Sequence, residues 1–261
     1  MTIPELTTAL AADSGNWELR LSLVQALVAE GRHDTAVEVV NQGEALAHEP
    51  AAWLALLQEI GADQDQGIAR HAELMDQGLV HLPRHAANHR LPPHAINYRA
   101  NIWALKTLGV KQVVGLAAVG GISPAYGPRV LVAPDHLIDY THGRDQTFHE
   151  GGEAGVVHID FTRPYCEALR ADLLRLARAA GIAMVDGGTH GVTQGPRLET
   201  AAEIRRMERD GCDLVGMTGM PEAALARELG LCYACLAYVV NWAAGKAEGE
   251  IAFSELEANM A

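Results

Sequence analysis

Long apolar runs and positive charge are what this sequence has least of. No stretch of its 261 residues approaches the ~20 consecutive apolar positions of a membrane-spanning helix. Met1 to Ala12 lacks the basic start and long apolar centre of a signal peptide. A cytoplasmic protein without a membrane partner is expected. Lys and Arg number 20 against 33 Asp and Glu, a formal charge of −13. That balance works against a nucleic acid partner, because a phosphate-rich backbone needs a basic face. A small anion needs only a local cluster of donors. Cysteine is also scarce, at four. Cys232 and Cys235 have the spacing of redox and zinc sites, but LCYACLAYVV reads as a buried strand, on which residues three apart face opposite ways. They are expected to be buried structural thiols. His85, His89 and His94 invite a metal reading, yet Pro92 and Pro93 interrupt the helix that would align further ligands and no fourth ligand is evident. No metal and no organic cofactor is expected.

What is present divides near residue 78. With 49% hydrophobic residues the chain can bury a core in one large or two small domains. Residues 1–77 read as helices: NWELRLSLVQALVAEGRHDTAVEVV and EPAAWLALLQEIG carry apolar residues at helical spacing, with Gly31 in a turn and Pro50 as a stop. The stretches headed by Trp17 and Trp53, with the EGRHDTAVEVV turn, resemble tetratricopeptide repeats, and a simple helical hairpin fits equally well. Such a segment is a candidate surface for a protein partner. From residue 78 to residue 261 strands alternate with helices. GLVHLPRH is predicted as a short strand, NYRANIWALKTLG as a helix, and KQVVGLAAV as a strand buried on both faces. PYCEALRADLLRLARAAG is predicted as a helix, IAMVDGGTHGVTQG as one strand and a loop, ETAAEIRRMERDG as a helix closed by Gly211. DLVGM, PEAALARELG and LCYACLAYVVN then read strand, helix and strand. This alternation implies an α/β fold with a central, parallel or mixed sheet, in which ligands sit beyond strand ends.

The polar residues at those strand ends suit phosphate, ribose and a purine. Arg84 and His85 follow the first predicted strand, so a guanidinium fork and an imidazole donor would project together toward an anion. The amides of Ala118 to Gly121 would add a nest of donors after the next strand, and Thr218 a hydroxyl. Asn241 closes the last strand. Its carboxamide can donate to O6 of an oxopurine while accepting from a protonated N7, which stabilises the leaving group as a glycosidic bond breaks.

These runs, VHLPRHAANHRLPPHAINYRANIWALKTLGV, LAAVGGIS, TQGPRLETAAEI, VGMTGMPEAALA and VVNWAAGK, resemble the trimeric purine nucleoside phosphorylase and methylthioadenosine phosphorylase family, within it the methylthioinosine phosphorylases. The likeness spans roughly Leu79 to Leu256. It implies a three-layer α/β fold with a central mixed sheet, preceded here by the helical segment, and a homotrimer. It implies that Arg84, His85, Ala118 and Thr218 bind phosphate, with Ala117 at a position where the family has Thr or Asn. Glu199 would face the purine, Met217 the ribose, Leu198 would stand where the family has a ring-stacking Phe, and His158 would serve the neighbouring subunit's site. The family's 6-aminopurine enzymes have Asp where this chain has Asn241, so hypoxanthine or guanine is favoured. The absence of any His after His190 favours an apolar 5′ group such as methylthio over a hydroxyl. Inorganic phosphate would be the co-substrate. The family's opening GGTG or GSG phosphate loop has no counterpart before Leu79, and the chain ends at Ala261 ahead of the family's last helix. Two functions therefore stand: phosphorolysis of a 6-oxopurine nucleoside, or a weakened relative whose helical segment serves protein binding. A nucleosidase using water is opposed by the Arg84 and His85 pair.

Overall fold

Apolar residues two apart in KQVVGLAAVGG and CYACLAYVVNW make these the two longest strands, and they pair with each other. The computed structural model describes residues 1–12, 19, 22, 23, 26, 27, 30, 79–86, 89–152, 155–251 and 259. The remaining readings on residues 1–77, including the paired helices headed by Trp17 and Trp53, lie outside the described residues. The chain divides into two compact units, Met1–Val110 and Lys111–Ala261.

In the first unit, helix α1 (Ile3–Ala12) buries Leu6 and Leu10. Helix α2 (Tyr98–Thr107) starts where the Asn97 side chain accepts the Ala100 N–H at 2.9 Å. It ends at Gly109, whose φ of 79° is the left-handed conformation that stops a helix. Ahead of it, residues 79–83 are irregular and 84–86 form a turn, so the strand predicted at GLVHLPRH is absent from the described residues. Pro83 and the paired Pro92 and Pro93 supply no N–H to a ladder.

The second unit is a seven-stranded mixed sheet with strand order β3-β5-β6-β1-β7-β2-β4. The strands are β1 (Gln112–Gly121), β2 (Leu131–Ala133), β3 (His136–Asp139), β4 (Met184–Asp186), β5 (Thr189–Val192), β6 (Leu214–Gly216) and β7 (Cys232–Trp242). Helices α3 (Glu167–Ala179), α4 (Ala201–Arg209) and α5 (Gly219–Glu228) fall between them. The run predicted as one strand before TQG is two, because Gly187 and Gly188, at φ 94° and 109°, turn the chain between β4 and β5. Two short strands, β2 and β3, carry too few residues to show a period.

The ladder of β1 and β7 is parallel from Gln112 opposite Cys232 to Gly121 opposite Trp242, with a register shift between Val119 and Gly120. β1 is not buried on both faces as predicted. Val119 to Gly121 are buried, but Leu116 is 62% exposed, since β6 pairs with β1 only at Gly120 and Gly121. The core beside this buried end consists of Ile122, Ile204, Met207, Cys212, Val215 and Ala243. Helix α4 is held there by a capping box: Thr200 accepts the Glu203 N–H at 3.2 Å and Glu203 accepts the Thr200 N–H at 2.7 Å.

The cysteine reading is corrected in one respect. Cys232, at the start of β7, is bonded to Cys166 at the N-cap of α3, while Cys212 and Cys235 are buried thiols outside the disulfide. Partners 66 residues apart in sequence are invisible to a local spacing argument. A loop of that length removes enough unfolded-state entropy to stabilise the chain by about 4 kcal/mol in the chain-entropy model. Replacing both Cys166 and Cys232 by Ser is expected to cost about 2–4 kcal/mol. Urea unfolding of parent and variant, each with and without reductant, checks this: reductant lowers the parent's midpoint toward the variant's and leaves the variant's in place.

Candidate active site

Arg84 and His85 belong to the first unit and stand in a tight turn. Ala86 and His89 adopt φ of 58° and 56°, a conformation that costs side-chain-bearing residues roughly 1–2 kcal/mol and recurs at ligand sites. The His85 and His89 rings stack with centroids 4.0 Å apart. His85 Nδ1 lies 2.8 Å from the Leu91 carbonyl, which can only accept, so Nδ1 carries the proton of the neutral ring. Burial lowers the His85 pKa against the raising effect of the Leu91 hydrogen bond, with His89 and Arg84 lowering it further. The imidazole predicted as a donor therefore presents a lone pair at Nε2, suited to accept from a protonated phosphate oxygen.

The other predicted residues belong to the second unit. β6 runs antiparallel to β1, Gly120 opposite Val215 and Gly121 opposite Leu214. The chain that leaves β6 at Gly216 therefore runs in the direction of the earlier residues of β1. The nest of amides expected from Ala118 to Gly121 does not form, because these residues remain extended strand within β1. Thr218 is the N-cap residue of α5 and is 8% exposed, and its side chain makes no capping bond to the helix.

Asn241 sits next to the register shift: Val119 pairs with Val239, and Gly120 with Asn241. Val240 is the extra residue of this bulge, a device that re-aims the side chain beside it. Asn241 is half-buried and donates one Nδ2 hydrogen to the Trp242 carbonyl at 2.7 Å. Its second N–H and its Oδ1 are the donor and acceptor pair that a 6-oxopurine requires.

Glu199 lines a cleft of about 450 Å³ with Tyr140, His142, Thr193, Gln194 and Met207. The Thr193 hydroxyl donates to Glu199 at 2.5 Å, which orients the carboxylate. Leu198, 38% exposed, Met217 and Asn241 are not among the residues lining this cleft. His158 lies exposed in an irregular segment beside Val156 and Val157, which are 72% and 45% exposed.

Two residues that local pattern did not mark matter here. Arg144, 8% exposed, hydrogen-bonds the chain at both Thr193–Gln194 and Met217–Met220. His190 on β5 is fully buried beside Gly216 and Gly219, and neither ring nitrogen has a hydrogen-bond partner among the described residues. A Cβ at residue 216 would come within 2.6 Å of His190 Nε2, so only glycine admits the ring there.

The seven-stranded mixed sheet with helices between its strands is the architecture of nucleoside phosphorylases. Residues 50–261 match the phosphorylase superfamily, and residues 2–60 match the tetratricopeptide repeat. A probable S-methyl-5′-thioinosine phosphorylase of Xylella fastidiosa is 58% identical over 196 residues, covering 75% of this chain and 83% of that protein. The 6-oxopurine nucleoside phosphorylase of Pyrococcus furiosus is 47% identical over 186 residues, covering 69% and 70%. Among solved structures, a double mutant of adenosine/methylthioadenosine phosphorylase from Schistosoma mansoni, in complex with adenine, matches at a TM-score of 0.65 and 32% identity over 69% of this chain and 71% of that one. The chain belongs to the phosphorylase superfamily.

The burial of His190 has a measurable consequence. Burial lowers its pKa from 6.5 to about 4, so the folded state prefers the neutral ring and the unfolded chain binds the proton first. The stability that comes from the neutral ring is complete above pH 6.5 and is lost as pH falls toward 4. About 2 kcal/mol is lost by pH 5. His190→Leu is expected to flatten this limb. Urea unfolding at pH 7 and pH 5 decides it: an equal acid loss in parent and variant assigns the effect to other groups.

Proposed function

We propose that the protein cleaves a 6-oxopurine nucleoside by phosphorolysis, with 5′-methylthioinosine as its principal substrate. The products are hypoxanthine and 5-methylthioribose 1-phosphate. The observation that carries the reading is Asn241, set beside a bulge at the end of β7 with an amide donor and acceptor to offer. The names of the relatives from Xylella fastidiosa and Pyrococcus furiosus support the same substrate class.

In this reading a phosphate oxygen attacks C1′ as the C1′–N9 bond breaks, and the bonding pair departs with the purine. Asn241 donates to O6, an interaction that strengthens as negative charge develops on the base, and accepts from N7–H once N7 has taken a proton from solvent, so that the base leaves neutral. Arg84, His85, the Ala118 region and Thr218 bind phosphate. Glu199, held by Thr193, faces the purine, Met217 meets the ribose, and Leu198 packs beside the base. His158, flanked by exposed valines, serves a neighbouring subunit's site in a homotrimer. No cofactor beyond phosphate takes part, and the setting is cytoplasmic. Among the described residues no helix is long and apolar enough to cross a membrane. The N-terminal repeat-like segment is a surface for a protein partner.

Purine release from methylthioinosine, inosine and methylthioadenosine, each with and without phosphate, tests the function. Phosphate-dependent release, fastest with methylthioinosine, is expected; no release under any condition supports the weakened relative. Asn241→Asp should move preference toward methylthioadenosine, and an unchanged ratio of the two methylthio substrates would remove Asn241 from base recognition. Arg84→Ala should raise the KM for phosphate about 10- to 100-fold, the worth of a charge-assisted hydrogen bond. A phosphate KM equal to the parent's would be incompatible with that role.

A further inference from the structure

The segment after β3 places Arg144 beneath the two turns that carry the proposed base and phosphate ligands. Its Nη1 donates to the Met217 carbonyl at 2.9 Å and the Met220 carbonyl at 2.5 Å. Its Nη2 donates to the Gln194 carbonyl at 2.8 Å and the Thr193 carbonyl at 3.2 Å, and Nε to Gln194 Oε1 at 3.2 Å. Gln194 Oε1 also accepts the His142 N–H at 3.1 Å, which ties the arginine's own segment to the same turn. One planar guanidinium thus joins the exit of β5 to the exit of β6.

The Met217 and Thr193 carbonyls turned toward the arginine each also fix an amide, whereas the Met220 carbonyl precedes Pro221 and fixes none. The Met217–Thr218 bond is trans, and in a trans peptide C=O and N–H point opposite ways. Holding the Met217 oxygen on Arg144 therefore aims the Thr218 N–H away from the guanidinium. The same holds for the Gln194 N–H, whose peptide oxygen belongs to Thr193. Thr193 in turn carries the Glu199 carboxylate on its hydroxyl at 2.5 Å. Burying a guanidinium is unfavourable unless its donors are satisfied, and an apolar contact would hold two turns together at lower cost. What the fork supplies, and an apolar contact does not, is the orientation of peptide planes.

We infer that Arg144 is a positioning residue that couples the two ends of the substrate site. It sets the Met217–Thr218 peptide for phosphate and ribose, and through Thr193 it sets Glu199 for the base. The inference rests on the phosphorolysis reading for its kinetic consequence but not for its structural one. Losing Arg144 should loosen both turns at once, and so weaken phosphate and nucleoside together.

The test compares Arg144→Met, Arg144→Lys and the full-length parent. In Arg144→Met the KM for phosphate and the KM for methylthioinosine should both rise, with kcat/KM falling about 100-fold, the scale of one lost preorganising element. Arg144→Lys keeps the charge without the fork and should fall between. A variant that merely unfolds in part shows a lower kcat with both KM values unchanged, and that pattern overturns the inference. So does an Arg144→Met enzyme with parental constants. Arg144→Ala should regain activity with millimolar guanidinium, an ion that fills the vacated fork; failure of rescue in a folded variant counts against orientation by the fork. Amide hydrogen exchange gives a reading independent of turnover. Residues 193–195 and 217–220 should lose protection together in Arg144→Lys, with β1 and β7 unaffected, and loss confined to one turn refutes the coupling. A parent without phosphate-dependent activity would sink the phosphorolysis reading, while the exchange result would still decide the coupling.

Discussion

The parallel ladder between β1 and β7 is the constraint on which the second unit depends. It joins residues 112–121 to residues 232–242, so every element that bears a proposed ligand in that unit is either in it or enclosed by it. Central strands leave little freedom of register, because a slip of one residue turns the buried row outward. Here the register is interrupted once, between Val119 and Gly120, and that interruption falls next to Asn241. The ladder therefore does two jobs with one irregularity: it locks the sheet centre and sets the angle at which a single carboxamide leaves it. On its other side β1 meets β6 in the antiparallel sense, so the chain that leaves β6 at Gly216 runs in the direction of the earlier residues of β1.

In the second unit Arg144 is bound by backbone carbonyls and Glu199 by a threonine hydroxyl, and in the first unit His85 is bound by the Leu91 carbonyl. Backbone partners are fixed by the fold and cost no side-chain entropy to order, so the site can be rigid before ligand arrives. His190 is the exception. A fully buried imidazole with no hydrogen-bond partner among the described residues costs free energy, and it persists beside Gly216 and Gly219 where the chain has made room for it.

The helices and long strands were legible in the sequence because their periods are long enough to read. KTLG, ERDG and ELG each announce a helix end, and the structure ends α2, α4 and α5 there. Asn241 and Thr218 are proposed as ligands because they stand at strand-end and turn positions of an α/β pattern, and Glu199 because the family resemblance implies it. Three-residue strands such as β2 show no period, and β4 and β5 were merged because their separating glycines looked like a loop within one run. Leu116 looked buried because hydrophobicity alone does not reveal which strand edge goes uncovered. Arg144 escaped notice for a different reason: THGRDQTF has no local signature, and its partners lie 49 to 76 residues away. Long-range hydrogen bonds to carbonyls leave no trace in residue type, since every residue has a carbonyl.

The bond between Cys166 and Cys232 adds something that neither stability nor redox chemistry describes. It closes a covalent ring around α3, β4, β5, α4, β6 and α5, the stretch that contains Glu199, Met217 and Thr218. A protease that nicks any exposed turn within that ring cannot release a fragment. The severed ends stay tethered to the same sheet, and the nicked protein migrates as one piece until its sulfurs are parted.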